Sequence, residues 1–198
     1  YGNDGPFAAM VSFPGPHCPY DPNQEFLDEV NPQAMPAPIP AAVGDADQLL
    51  RNNVKGNLAP WNGVDYSDFT DAHKQKIRAH YAASTNQIDV EIGRIMAALE
   101  AQGLLDNTIV IFTSDHGDYL GDHGFIGKGV YYEAAIRIPL IVRIPGAAAG
   151  VYDGLVELTD ITATLLAFGG AKPPQPMDSR PLPSLGLPTE PRGMLFGF

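Results

Sequence analysis

The order of hydrophobic segments predicts an α/β layered fold. A short apolar run is followed by a long amphipathic helix, a β-branched strand, a polar glycine-rich loop, a second strand and a further helix. Three observations carry this reading. Ile77, Tyr81, Ile88, Ile92, Ile95, Met96 and Leu99 recur at helical spacing. Residues 107–113 (NTIVIFT) are β-branched and apolar on both faces, as in a strand of a sheet covered on both sides. The polar stretch after that strand lies where such sheets place their ligands, at the carboxyl end.

Taken in order, residues 7–13 (FAAMVSF) form an apolar run closed by Pro14 and read as a buried strand. A proline-studded loop follows, 14–22, and then a short helix over 24–30. Residues 31–44 are dense in proline, without periodicity, and read as loop. One or two helical turns are expected over 45–53, and irregular chain from 54 to 66. The long helix spans 70–102. Thr70 or Ser67 caps it, Asp71 suits its positive end, and Gly103 stops it. At ~1.5 Å per residue the span is roughly 50 Å, so a break near 83–85 is expected. A strand over 136–144 (IRIPLIVRI) contains Pro139. Residues 158–168 read as a helix capped by Thr159, and the proline-rich tail after Gly169 ends in a strand over 193–198.

Composition narrows the function. The chain has 198 residues, 44% of them hydrophobic, enough for one domain with a core. The formal net charge is −11 and the twelve Lys and Arg are spread thinly, which argues against nucleic acid as a partner. An anionic substrate would need a local metal ion or a placed lysine. The single cysteine, Cys18, excludes an internal disulfide. No apolar run reaches the ~20 residues of a membrane span, and the first residues do not form a signal peptide. The sequence opens without methionine, so the chain is expected to begin inside a longer protein.

The chemistry concentrates in residues 113–124 (TSDHGDYLGDHG). Asp115 and His116 directly follow the strand, where a carboxylate and an imidazole can face one cleft and share a cation. A hard cation such as Ca²⁺ favours Asp115; His116 suits Zn²⁺ or Mn²⁺ better, or hydrogen-bonds a substrate oxygen. Gly117 lets backbone approach closely. The bland alternative is an Asp-His pair that caps a turn. Lys128 stands between Gly127 and Gly129, exposed on mobile backbone and able to reach an anion. A phosphate-binding loop is rejected, because Asp122 stands where it needs glycine and Gly129 where it needs Ser or Thr.

SDHGDYLGDHGFIGKG, Tyr132-Glu133 and IRIPLIVRIPG together resemble the sulfatase family of the alkaline-phosphatase-like superfamily. Pro16-His17-Cys18-Pro19-Tyr20 resembles the family's Pro-His-x-Pro loop, and 81–108 its helix and the lead into the metal-binding strand. The resemblance implies an alkaline-phosphatase-like layered domain with a mostly parallel sheet flanked by helices. It implies Asp115 and His116 as metal ligands, and His17, His116 and Lys128 as catalytic and substrate-binding residues. Lys128 would offset the sulfate charge and His17 would protonate the leaving oxygen. His123 and Asp122 are read as supporting the site, and His73 and His80 as surface residues. Trp61 and Tyr66 are candidates for stacking on a substrate ring.

The family's nucleophile is a formylglycine made from Cys or Ser in a Cys/Ser-x-Pro-x-Arg segment, and two further aspartates complete its metal site. Cys18 is followed by Pro19-Tyr20-Asp21-Pro22 and does not match; Ser114 and Ser84 also lack the context. The chain therefore reads as the latter part of one catalytic domain, with 170–198 leading towards a smaller C-terminal subdomain. The resemblance implies a divalent metal, Ca²⁺ first and Mn²⁺ or Zn²⁺ next, and a small-molecule or carbohydrate sulfate ester as substrate. It also implies a periplasmic, secreted or lysosome-like setting. The isolated chain is expected to be inactive and to expose apolar surface that favours self-association. Two alternatives stay open: a phosphonate monoester or phosphate diester hydrolase of the same superfamily, and a non-catalytic remnant or binding module.

Overall fold

The computed structural model describes residues 5–41, 44, 46–60, 63–173 and 175–189. Trp61 and the strand expected over 193–198 lie outside the described residues. The chain divides into two compact units. One comprises residues up to Leu105 together with Phe112–Leu140, the other Asp106–Ile111 together with the chain from Ile141 on.

The helices are α1 (Gln24–Asp28), α2 (Ala46–Asn57), α3 (Asp71–Ala101), α4 (Glu133–Ile136) and α5 (Asp160–Phe168), with 3-10 turns at Pro32–Ala34, Leu105–Asn107 and Asp122–Gly124. The strands are β1 (Val110–Thr113) and β2 (Leu140–Arg143), paired in a two-stranded sheet.

α3 is one unbroken helix of 31 residues, so the break expected near 83–85 does not occur. The buried residues of the helix lie within and just before that stretch. Ala79, Ala83 and Ser84 are buried small residues that let neighbouring chain approach closely. The Asn23 N–H reaches Gln87 Oε1 at 3.0 Å, and His80 Nδ1 donates to the Tyr20 carbonyl at 2.8 Å. Thr70 is the cap: its hydroxyl accepts the His73 N–H while the His73 ring accepts the Thr70 N–H, a closed capping box. Gly103, at φ 65°, ends α3 in a Schellman turn, with Leu104 N–H on Leu99 O and Gly103 N–H on Glu100 O, both at 2.9 Å.

Other expectations need correction. Residues 7–13 form no strand. Phe7, Met10 and Val11 are exposed, because among the described residues no strand pairs with the run or covers it. β2 starts only at Leu140; Ile136 ends the short helix α4 instead. α2 continues to Asn57, past the boundary read from the sequence, where Asn57 Nδ2 donates to Asn53 O at 2.9 Å and Asn57 O accepts the Val64 N–H. In the second unit Thr159 stands at the N-cap of α5 without a cap hydrogen bond. The buried Asp160 carboxylate does the fastening, accepting the N–H groups of Glu157 and Arg180 at 3.0 and 3.1 Å.

Candidate functional site

The first unit brings together two loops. One carries His17 and precedes α1. The other runs from the end of β1 through Lys128 to α4.

The second loop is built around its own small core of Tyr119, Phe125 and Ala135, flanked by Leu50, Val130, Tyr132 and Ala134. Tyr119 is fully buried. Its hydroxyl donates to the Val130 carbonyl and accepts the Val130 N–H at 2.7 Å, while its own N–H reaches Gly127 O at 2.9 Å. Gly117 has a steric reason: a Cβ there would lie 2.0 Å from the Ala134 carbonyl oxygen. The expectation of close backbone approach at Gly117 holds.

Gly127 and Gly129 both adopt positive φ, 74° and 130°. The lysine between them is exposed, but its backbone is not loose as the sequence suggested. Asn53 Nδ2 donates to Lys128 O at 2.8 Å, and the Gly127 N–H donates to Asp118 Oδ1 at 3.0 Å.

The two loops meet at His17 and Lys128. His17 Nδ1 lies 2.8 Å from the Cys18 carbonyl, which can only accept, so Nδ1 carries a proton. Nε2 is left to accept from Lys128 Nζ at 2.7 Å. The His116 ring stands edge-on to His17, with ring centres 5.9 Å apart. Three residues chosen from sequence thus share one place, although His17 and Lys128 are 111 positions apart.

Asp115 lies at the open edge of this group. Its Oδ1 accepts the His116 N–H at 3.0 Å, and its Oδ2 is 3.4 Å from His116 Nε2. Partial burial pushes its carboxyl up, but His116 beside it, backbone N–H groups and the Ser114 hydroxyl outweigh this and hold it below the usual range. His116 Nδ1 donates to Gly117 O at 2.8 Å, which leaves Nε2 turned towards the carboxylate. Two donors do not make a calcium shell of roughly six to eight oxygens, however. Among the described residues no group of three His, Cys, Asp or Glu can hold a metal.

Several side chains do something other than the sequence suggested. His80 is half-buried and fastens the Tyr20 carbonyl. Tyr66 is buried, its hydroxyl donating to Asn53, and cannot stack on a substrate. Asp122 accepts from Arg78 and from the Ile39 N–H, and His123 stacks on Tyr132 at 4.1 Å, both supporting contacts as expected. Burial and then the Asp118 charge push the Cys18 thiol up, the opposite of an activated thiolate. Asp118 and Tyr20 escaped the sequence reading; no spacing signals a hydrogen bond between residues 98 positions apart.

The family model for sulfatases matches residues 1–171. This chain belongs to the sulfatase family. An arylsulfatase of Clostridium perfringens is 33% identical over 186 residues, covering 91% of this chain and 37% of the relative. The multifunctional alkaline phosphatase superfamily protein PehA of Trinickia caryophylli is 32% identical, over 91% of this chain and 38% of its own. Among solved structures, phosphonate monoester hydrolase of Agrobacterium radiobacter superposes with a TM-score of 0.82 at 31% identity, covering 91% of this chain and 38% of that one. The fold is the alkaline-phosphatase-like fold of these neighbours. The chain spans less than two-fifths of the length of these two curated relatives.

Proposed function

We propose that this chain supplies the anion-binding and leaving-group side of a sulfatase active site, in a protein that hydrolyses a small-molecule or carbohydrate sulfate monoester. The observation that carries the reading is the Lys128 Nζ–His17 Nε2 contact at 2.7 Å beside His116. An ester oxygen entering there meets an ammonium donor on one side and an imidazole nitrogen on the other. Lys128 offsets the charge of the sulfate oxygens, and His17, once its ring has taken up a second proton on Nε2, gives that proton to the departing oxygen as the S–O bond breaks. His116 lies close enough to bind the ester oxygens. Asp115 and His116 supply two donors to a divalent cation, Ca²⁺ by family resemblance. The other ligands and the formylglycine nucleophile belong to parts of a family-length protein that this chain does not contain. An exported or lysosome-like location, and self-association through exposed Phe7, Met10 and Val11, belong to the same reading.

The test is hydrolysis of 4-nitrophenyl sulfate by the full-length gene product. Lys128→Ala and His17→Ala should each lower kcat/KM by about 10²–10³-fold, and the 198-residue chain alone should turn over nothing. A folded Lys128→Ala protein with parental activity sinks the assignment. The structural likeness to a phosphonate monoester hydrolase favours a second reading. Faster turnover of an aryl phenylphosphonate than of the aryl sulfate would establish it.

A further inference from the structure

We propose that Tyr20 and Asp118 are positioning residues that latch the loop of His17 to the loop of Lys128 and so set the spacing of proton carrier and cation. The inference rests on the roles just proposed for His17 and Lys128. Tyr20 stands three residues after His17, and its hydroxyl donates to Asp118 Oδ2 at 2.8 Å. The other oxygen of the same carboxylate, Oδ1, accepts the N–H of Leu120 at 2.9 Å and that of Gly127 at 3.0 Å. Gly127 is the residue before Lys128. One carboxylate therefore holds the backbone beside the cation with one oxygen and the side chain near the imidazole with the other.

Both ends of the latch are anchored. The Tyr20 carbonyl accepts His80 Nδ1–H from the first third of α3, and Lys128 O accepts from Asn53 on α2. Burial, and next the Asp118 charge, push the Tyr20 phenol far above the usual range, so it stays a donor at neutral pH. With the backbone fixed at Tyr20 and Gly127, the His17–Lys128 distance is left to two short stretches of chain. A shift of about 1 Å at such a contact is enough to cost on the order of 10²-fold in rate.

A tie that only stabilises the fold would affect every substrate alike. A latch that places the proton carrier makes poor leaving groups suffer most, because they need the proton. The experiment is a series of aryl sulfates, from 4-nitrophenyl to unsubstituted phenyl, with the full-length gene product and its Tyr20→Phe variant. We expect kcat on phenyl sulfate to fall about 10–100-fold, with KM little changed and with a much smaller loss on 4-nitrophenyl sulfate. Asp118→Ala should steepen the leaving-group dependence in the same way. Asp118→Asn should restore part of it, since the amide keeps an oxygen for the two N–H groups and can donate to the phenol oxygen. An equal loss across the series, or none, in variants that melt like the parent overturns the proposal. If Tyr20→Phe does not fold, the Asp118 pair decides alone. Failure of the parent to hydrolyse any sulfate ester would be a failure of the proposed function. The latch is then read from ¹⁵N-histidine spectra: removal of the phenol should shift the His17 Nε2 signal as its contact with Lys128 loosens, and an unchanged His17 signal overturns it.

Discussion

Gly117→Ala isolates the steric demand of the loop beside the site. The added Cβ would stand 2.0 Å from the Ala134 carbonyl oxygen, more than 1 Å inside ordinary contact, and 3.1 Å from its carbon. The obstacle is backbone, so no side chain can swing away. α4 cannot retreat either, because Ala135 is buried against Tyr119 and Phe125. Overpacking of this kind costs about 1–3 kcal/mol, and a rigid neighbour places it at the upper end. Moving the loop also lengthens the Gly117 N–H bond to Ala135 O, now 2.8 Å, for about 1 kcal/mol more. A loss of about 3–4 kcal/mol in a domain of this size lowers the melting temperature by about 6–16 °C. Gly103→Ala is the control. Its φ of 65° is strained for alanine, but nothing lies within 4 Å of the new Cβ, so only about 1–2 kcal/mol is at stake. Thermal melts followed by circular dichroism compare the two. A Gly117→Ala protein that melts with the parent, or a Gly103→Ala protein that loses as much, refutes the steric reasoning.

Two further outcomes follow from buried tyrosines. Tyr119→Phe leaves the Val130 N–H and carbonyl without the hydroxyl that now serves both, at a cost of about 2–3 kcal/mol. Urea unfolding should show this loss, and a loss no larger than that of exposed Tyr131→Phe would contradict it. Alkaline pH should also unfold the protein. Burial first of all raises the phenols of Tyr20, Tyr66 and Tyr81, Tyr66 to about 12. A raised folded value means the stabilisation is complete below the unfolded value of 10.0 and drains away as pH climbs towards the folded one. The melting temperature should therefore fall from about pH 10 to about pH 12, and a flat profile there counts against buried, protonated phenols.

Legibility in the sequence followed the range of the forces involved. The helix α3 was readable because its periodicity, the Thr70 cap and the Gly103 stop are local. The shared place of His17, His116 and Lys128 was readable only through resemblance, since no spacing rule joins residues 111 positions apart. Where the reading failed, a partner was missing or unforeseen. Residues 7–13 have the composition of a buried strand, but a strand exists only where another chain segment pairs with it. Tyr66 is an aromatic residue in an irregular stretch, yet in the fold it is buried with its hydroxyl on Asn53.

By itself, the sequence determined the chemistry on offer: an acidic chain with a carboxylate and imidazole at a strand end, a glycine-flanked lysine and a histidine between prolines. Those follow from residue identity and near neighbours. Tertiary structure alone decided which of them meet. It fixed the His17 tautomer through the Cys18 carbonyl, aimed Nε2 at Lys128, and brought Tyr20 to Asp118 Oδ2 across 98 residues of sequence. Hydrogen bonds act over about 3 Å, and residues so far apart in the chain come within that range only once helices and loops have packed.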